Sequence, residues 1–124
     1  MSRYQIDVTT DPRYLPEQSD PTANRYVFAY HITLYNSGEQ AAQLLNRHWI
    51  ITDGNGRVEE VRGSGVVGEQ PLLQPGEDYS YTSGVMLQTP VGTMQGRYQM
   101  QADDDQLFDA EIPIFTLSAP HSLN

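Results

Sequence analysis

Apolar and polar residues alternate with period two along much of this chain. In Tyr26, Phe28, Tyr30, Ile32 and Leu34 every second position is large and apolar, which places five side chains on one face of a β-strand. Val27, Ala29, His31, Thr33 and Tyr35 take the opposite, partly exposed face. Tyr4, Ile6 and Val8 predict an earlier strand, with Gln5, Asp7 and Thr9 pointing outward. Residues 41–52 predict another, carrying Leu45, Trp49 and Ile51 on one side and Leu44, His48 and Ile50 on the other. Trp49 is the expected core anchor. Tyr79 and Tyr81 share one parity, and Met94, Gly96, Tyr98 and Met100 share a face within residues 93–102. Residues 107–117 form the last predicted strand, with Pro113 at an edge or a bulge.

Turn chemistry separates these segments. Residues 11–24 contain Pro12, Pro16 and Pro21 among polar residues and predict a long loop. Asn36-Ser37-Gly38 turns the chain, and Asp53-Gly54-Asn55-Gly56 is a strong hairpin signal because Asn and Gly accept positive φ. A short strand over residues 57–62 follows. No segment shows a capped 3.6-residue period. The pattern predicts an all-β fold: a single antiparallel β-sandwich of seven to eight strands, of fibronectin type III or immunoglobulin-like kind, spanning residues 1–124.

Composition narrows the chemistry. The formal net charge is −9, and all seven cationic side chains are Arg. An acidic chain of this kind lacks the basic footprint that nucleic-acid binding needs. With neither Cys nor Lys there is no thiolate metal site, Schiff base or phosphate-loop lysine. No G-x-S-x-G nucleophile elbow occurs. The N-terminal residues show no apolar signal core, and no apolar run approaches the ~20 residues of a membrane span. The expectation is a soluble cytoplasmic protein with no membrane insertion and no cofactor.

Residues 63–76 read G-S-G-V-V-G-E-Q-P-L-L-Q-P-G. A dinucleotide-binding G-x-G-x-x-G must open a helix whose N-terminus holds the pyrophosphate, but Pro71 follows too soon for one. The glycines therefore predict an irregular connector with positive φ. The functional alternative is a cup of backbone amides for phosphate, formed by Gly63, Ser64, Gly65 and Gly68 with Arg62 alongside.

The runs His48-Trp49-Ile50-Ile51-Thr52-Asp53, Val61-Arg62-Gly63-Ser64-Gly65-Val66-Val67-Gly68-Glu69-Gln70-Pro71 and Leu73-Gln74-Pro75-Gly76-Glu77 closely resemble the ApaG family. So do Tyr81-Thr82-Ser83-Gly84, the stretch from Thr89 to Tyr98, and the ending Ile112-Pro113-Ile114-Phe115-Thr116-Leu117. The resemblance covers roughly Tyr4 to Pro120. It implies a fibronectin type III-like sandwich and a genetic link to cobalt and magnesium tolerance or efflux. It also implies a neighbourhood with a diadenosine tetraphosphate hydrolase and kinship with interaction domains of F-box proteins. The same resemblance carries a suggestion of pyrophosphate binding at Gly63, Gly65 and Gly68, and no enzymatic activity.

Two further groups invite chemistry. Asp103, Asp104 and Asp105 offer oxygen ligands to a divalent cation, although a hairpin tip favours Asp on its own account. His31 and His48 would meet only if their strands paired, and His121 lies in a polar tail. The leading expectation is a non-enzymatic binding module that contacts an unknown protein partner, or a second copy of itself, through residues 63–70 and 11–24. The alternative is a sensor of nucleotide or pyrophosphate at Gly63–Gly68.

Overall fold

A computed structural model describes residues 3–120. Eight strands run β1 (Ile6–Tyr14), β2 (Tyr26–Asn36), β3 (Ala42–Asp53), β4 (Val58–Ser64), β5 (Leu72–Leu73), β6 (Asp78–Leu87), β7 (Val91–Ala102) and β8 (Leu107–Ser118). They form two antiparallel sheets, one ordered β1-β2-β6 and the other β4-β3-β7-β8, with β5 continuing the β4 side of β3. This is the expected antiparallel sandwich. The helical elements among the described residues are two single-turn 3₁₀ helices, Pro16–Gln18 and Pro21–Ala23.

The alternation in β2 holds. Phe28, Tyr30, Ile32 and Leu34 are all buried against the second sheet. Trp49 is 2% exposed and sits at the centre, with ring centroids 5.3 Å from Tyr30, 6.3 Å from Tyr98 and 6.1 Å from Phe115. Tilted and edge-on rings of this kind are the favoured aromatic contact.

The structure corrects two readings. In β3 the period-two phase breaks at a bulge between Leu44 and Asn46. Ala42 and Leu44 therefore join Trp49 and Ile51 in the core, while Leu45 does not. A bulge inserts one residue and flips the parity of everything before it. The second correction concerns residues 11–24. β1 continues to Tyr14, with Pro12 opposite Tyr30. Proline is admitted because β1 is an edge strand whose outward amides need no partner. The loop proper begins at Leu15.

Pro113 lies at a bulge in the edge strand β8, where the pairing to β7 shifts between Met94 and Gly96. Asn36 is a buried polar hub, 1% exposed. Its Nδ2 donates to Gln40 O at 2.9 Å and Leu73 O at 3.0 Å, and its Oδ1 accepts from the Gly38 amide at 2.9 Å. One side chain thus ties the β2–β3 turn to β5, with its hydrogen-bonding capacity met.

Trp49→Ala should cost ~3–5 kcal/mol by removing the central aromatic. Asn36→Ala should cost about 2–4 kcal/mol by orphaning three buried backbone groups. Urea denaturation measures both, and an unchanged midpoint for either variant would refute its assigned role.

Candidate functional site

The glycine segment joins β4 to β5 along one side of β3. Gly65 and Gln70 both reach back to the bulge: the Gly65 amide donates to Leu45 O at 2.8 Å, and Gln70 Nε2 donates to the same oxygen at 3.0 Å. Between them Val66 and Glu69 exchange backbone hydrogen bonds of 2.8 and 2.9 Å. Val67 (φ 43°) and Gly68 (φ 82°) occupy the two central positions, the φ signature of a two-residue hairpin turn. Val66 itself is buried in the core and anchors the turn.

Each glycine of the fingerprint has a packing or backbone task. A Cβ on Gly65 would lie 2.3 Å from Glu69 O, and the residue has φ +62°. Gly68 needs positive φ but has open space around it. Gly63 sits in β4 opposite Arg47, and a Cβ there would lie 2.8 Å from the centre of the Arg47 guanidinium. Arg47 Nη1 donates to the carbonyls of Ser64 and Gly65, each at 2.9 Å. The loop thus turns carbonyl oxygens toward a cation, and the segment after Gly68 is a turn and not a helix.

Arg62 points to the other face of the sheet. The register places Arg62 opposite His48 on β3, His48 opposite Arg97 on β7, and Arg97 opposite Glu111 on β8. With strands about 4.8 Å apart, the two guanidinium-bearing residues flank the imidazole in one row. Next to this row lies a shallow depression of about 520 Å³ that also involves Asn46, Arg47, Gly63, Ser64, Gln99 and Asp109. Glu60 accepts from His48 Nε2 at 2.8 Å and lies 3.4 Å from Arg62. The His48 hydrogen bond holds the Glu60 carboxyl below its ordinary range. Arg97 has no carboxylate within 4 Å among the described ion pairs. The outer face therefore carries Arg62, paired with Glu60, on β4, an Arg97 outside any described ion pair on β7, and Asp109 and Glu111 on β8.

Sequence reasoning found Arg62 and the glycines but missed Arg47 and Arg97. Pairing between β3 and β7, which their own alternation does not specify, brings Arg97 beside His48. His31 lies in the other sheet, where its Nδ1 is 2.8 Å from Thr82 Oγ1. The two histidines do not meet, and His121 lies outside the described residues. The loop before β2 and the glycine turn sit at opposite ends of the strands, so they do not form one surface.

Asp103, Asp104 and Asp105 form the β7–β8 turn, with Asp105 at φ 67°. Asp104 accepts from Tyr4 Oη at 2.5 Å and lies 3.5 Å from Arg3. Among the described residues no three His, Asp or Glu side chains stand close enough to hold a metal ion. No helix among them is long and apolar enough to cross a membrane.

A profile of the ApaG domain matches residues 16–102. The chain belongs to the ApaG family. It is 62% identical over 122 residues to Protein ApaG of Aromatoleum aromaticum, covering 98% of this chain and 96% of the relative. It is 58% identical over 123 residues to Protein ApaG of Pseudomonas paraeruginosa, covering 99% and 98%. A crystal structure of a protein named ApaA from Bordetella pertussis superposes with a TM-score of 0.94 at 51% identity, covering 98% of each chain. For this ApaG-family chain the glycine fingerprint belongs to a hairpin turn pinned by Arg47.

Two outcomes follow from the local geometry. Gly65→Ala should destabilise by at least about 2 kcal/mol, because it meets both a clash and a left-handed backbone, whereas Gly68→Ala should cost about 1 kcal/mol. Urea melts give the order, and a reversed order would refute the turn geometry. The hydrogen bond from Tyr4 holds the Asp104 carboxyl below its ordinary range. A depressed folded pKa stabilises above the unfolded value of about 3.9 and is lost as pH falls through the folded one. Asp104→Asn should therefore lower the melting temperature at neutral pH, and the gap from wild type should close in acid. A gap independent of pH would show that the carboxylate charge is not involved.

Proposed function

We propose that this chain is a non-enzymatic binding module that receives an acidic segment of a partner protein on the outer face of its five-stranded sheet. One observation carries the reading. In a chain of net charge −9, Arg62, His48 and Arg97 stand in a single row beside a shallow depression. Two arginines on one face of an acidic chain, Arg97 among them outside any described ion pair, suit a complementary acidic partner, where such charges govern register and association rate. Arginine is suited to this because its planar fork matches a carboxylate. On this reading the link to cobalt and magnesium tolerance implied by family membership is indirect and runs through that partner.

The sensor alternative, nucleotide or pyrophosphate on Arg62 and residues 63–68, gains the same cationic row but no helix N-terminus. Native pulldown from a bacterial lysate, wild type against the double variant Arg62→Glu/Arg97→Glu, tests the leading reading. A partner should be retained on the wild type, released by raised salt and absent from the variant. Equal retention on both proteins would refute it. Calorimetric titration with ATP and pyrophosphate, with and without Mg²⁺, decides the alternative: heat that disappears in the double variant would establish it in place of the leading reading.

A further inference from the structure

The two lateral sides of the sandwich differ. On one, β1 packs along β8; on the other, β4 and β6 stand apart with scarcely any close backbone approach. Two adjoining cavities of about 340 and 290 Å³ open along that seam, and both are lined by Tyr30, Arg47, Trp49 and Ser83. The sequence explains the gap. The inward positions of β6 read Tyr79, Tyr81, Ser83, Val85 and Leu87, so a small hydroxyl stands in the middle of an otherwise large apolar series. Across the seam, the β4 residue opposite Arg47 is Gly63. Small residues on both margins leave a gap beside Arg47, and Trp49, Tyr30 and Tyr81 form its buried floor.

We propose that this seam is a binding site for a small organic monocarboxylate, with its head on Arg47 and its apolar body against Val61, Val85 and Met86, above the buried Trp49 and Tyr30. Arg47 is half-buried and has no carboxylate within 4 Å among the described ion pairs. A desolvated, uncompensated cation is costly and is ordinarily matched by an anion. Its Nη1 is committed to the carbonyls of Ser64 and Gly65, which fixes the plane of the guanidinium. Nε and Nη2 make no hydrogen bond among the described residues and present the edge that binds a carboxylate bidentately. The Tyr81 and Tyr98 hydroxyls lie 2.5 Å apart. Such a pair uses one of its two protons and leaves the other on whichever hydroxyl accepts; of the two, Tyr81 lines the larger cavity.

The charge balance selects the ligand class. One guanidinium faces the seam, Glu59 lines the second cavity, and Glu69 lies at the adjoining turn, where it accepts from Tyr79. A di- or polyanion would meet these carboxylates with no second cation to compensate. A single negative charge on an apolar body fits. This site lies on the inner side of the sheet and does not depend on the outer-face reading.

Trp49 is the sole tryptophan, so its fluorescence reports the seam directly. The purified chain is titrated with 3-phenylpropionate, its uncharged amide and phenyl phosphate, while NMR follows the Trp49 indole N–H. The carboxylate should give a saturable change, and the amide should bind about 10-fold more weakly or worse, as expected for loss of a charge-assisted pair. Phenyl phosphate should bind more weakly than the carboxylate. Arg47→Gln should abolish the difference between acid and amide. Ser83→Leu, which leaves Arg47 latched to its loop, should fill the gap and abolish binding while the circular dichroism melt stays cooperative. Equal binding of acid and amide, no saturable signal with any of the three probes, or undiminished binding by a folded Ser83→Leu would each overturn the proposal. If Ser83→Leu does not fold, the wild-type NMR map decides: shifts away from Trp49 and its neighbours overturn it, and shifts confined to the seam uphold it.

Discussion

A guanidinium lying flat against a strand that has no side chain in its way is the constraint on which the glycine region depends. Arg47 rests over Gly63 and holds the carbonyls of Ser64 and Gly65. This contact fixes where β4 ends and how the chain turns toward β5. It also orients the hairpin at Val67 and Gly68, whose anchor Val66 enters the core. A β-branched residue with positive φ is disfavoured, and Val67 is held there by what flanks it: the Arg47 contact before it and the Val66–Glu69 hydrogen bonds around it. The motif that looks like a phosphate fingerprint is, in packing terms, the space a cation needs.

That contact also divides the arginines by function. In β3 the residues alternate in direction, so Arg47 faces the interior while its neighbour His48 faces outward with Arg62 and Arg97. The inner guanidinium meets aromatic rings and neutral phenols. Burial pushes the Tyr81 and Tyr98 hydroxyls well above the ordinary tyrosine range, so the pair beside Arg47 stays uncharged at physiological pH and does not neutralise it. The outer row shares one carboxylate, Glu60. Two electrostatic environments thus stand back to back across a single strand.

Much of the scaffold was legible because period-two patterning is a direct image of a half-buried sheet. The alternation of β2 and β7 gives their buried faces directly, and Asn and Gly mark the turn at residues 53–56. Pro113 marks the bulge in the edge strand β8, but nothing in the sequence marks the bulge in β3 or the edge position of β1. The extra residue at Leu45 reverses the parity of β3 without leaving any compositional mark, since Leu44 and Leu45 are equally apolar. Pro12 reads as a breaker within β1 because the edge position of that strand is not written in its sequence. For the site, Arg62 could be named from its place beside the glycines. Its companions could not: Arg97 is brought beside His48 by pairing between strands far apart in sequence, and Arg47 gains its role from the carbonyls of Ser64 and Gly65, which only the folded turn brings to it.

The kink at Pro113 and Ile114 in β8 has a consequence for how copies of this protein coexist. A straight outermost ribbon exposes unpaired amides and carbonyls that invite another ribbon to zip onto it. Here one such margin is bent by a proline, and the margin at β1 carries Pro12. A third, β4, carries Glu59, Glu60 and Arg62 in close succession. Stacking of neighbouring molecules into extended ribbons is therefore disfavoured at three borders.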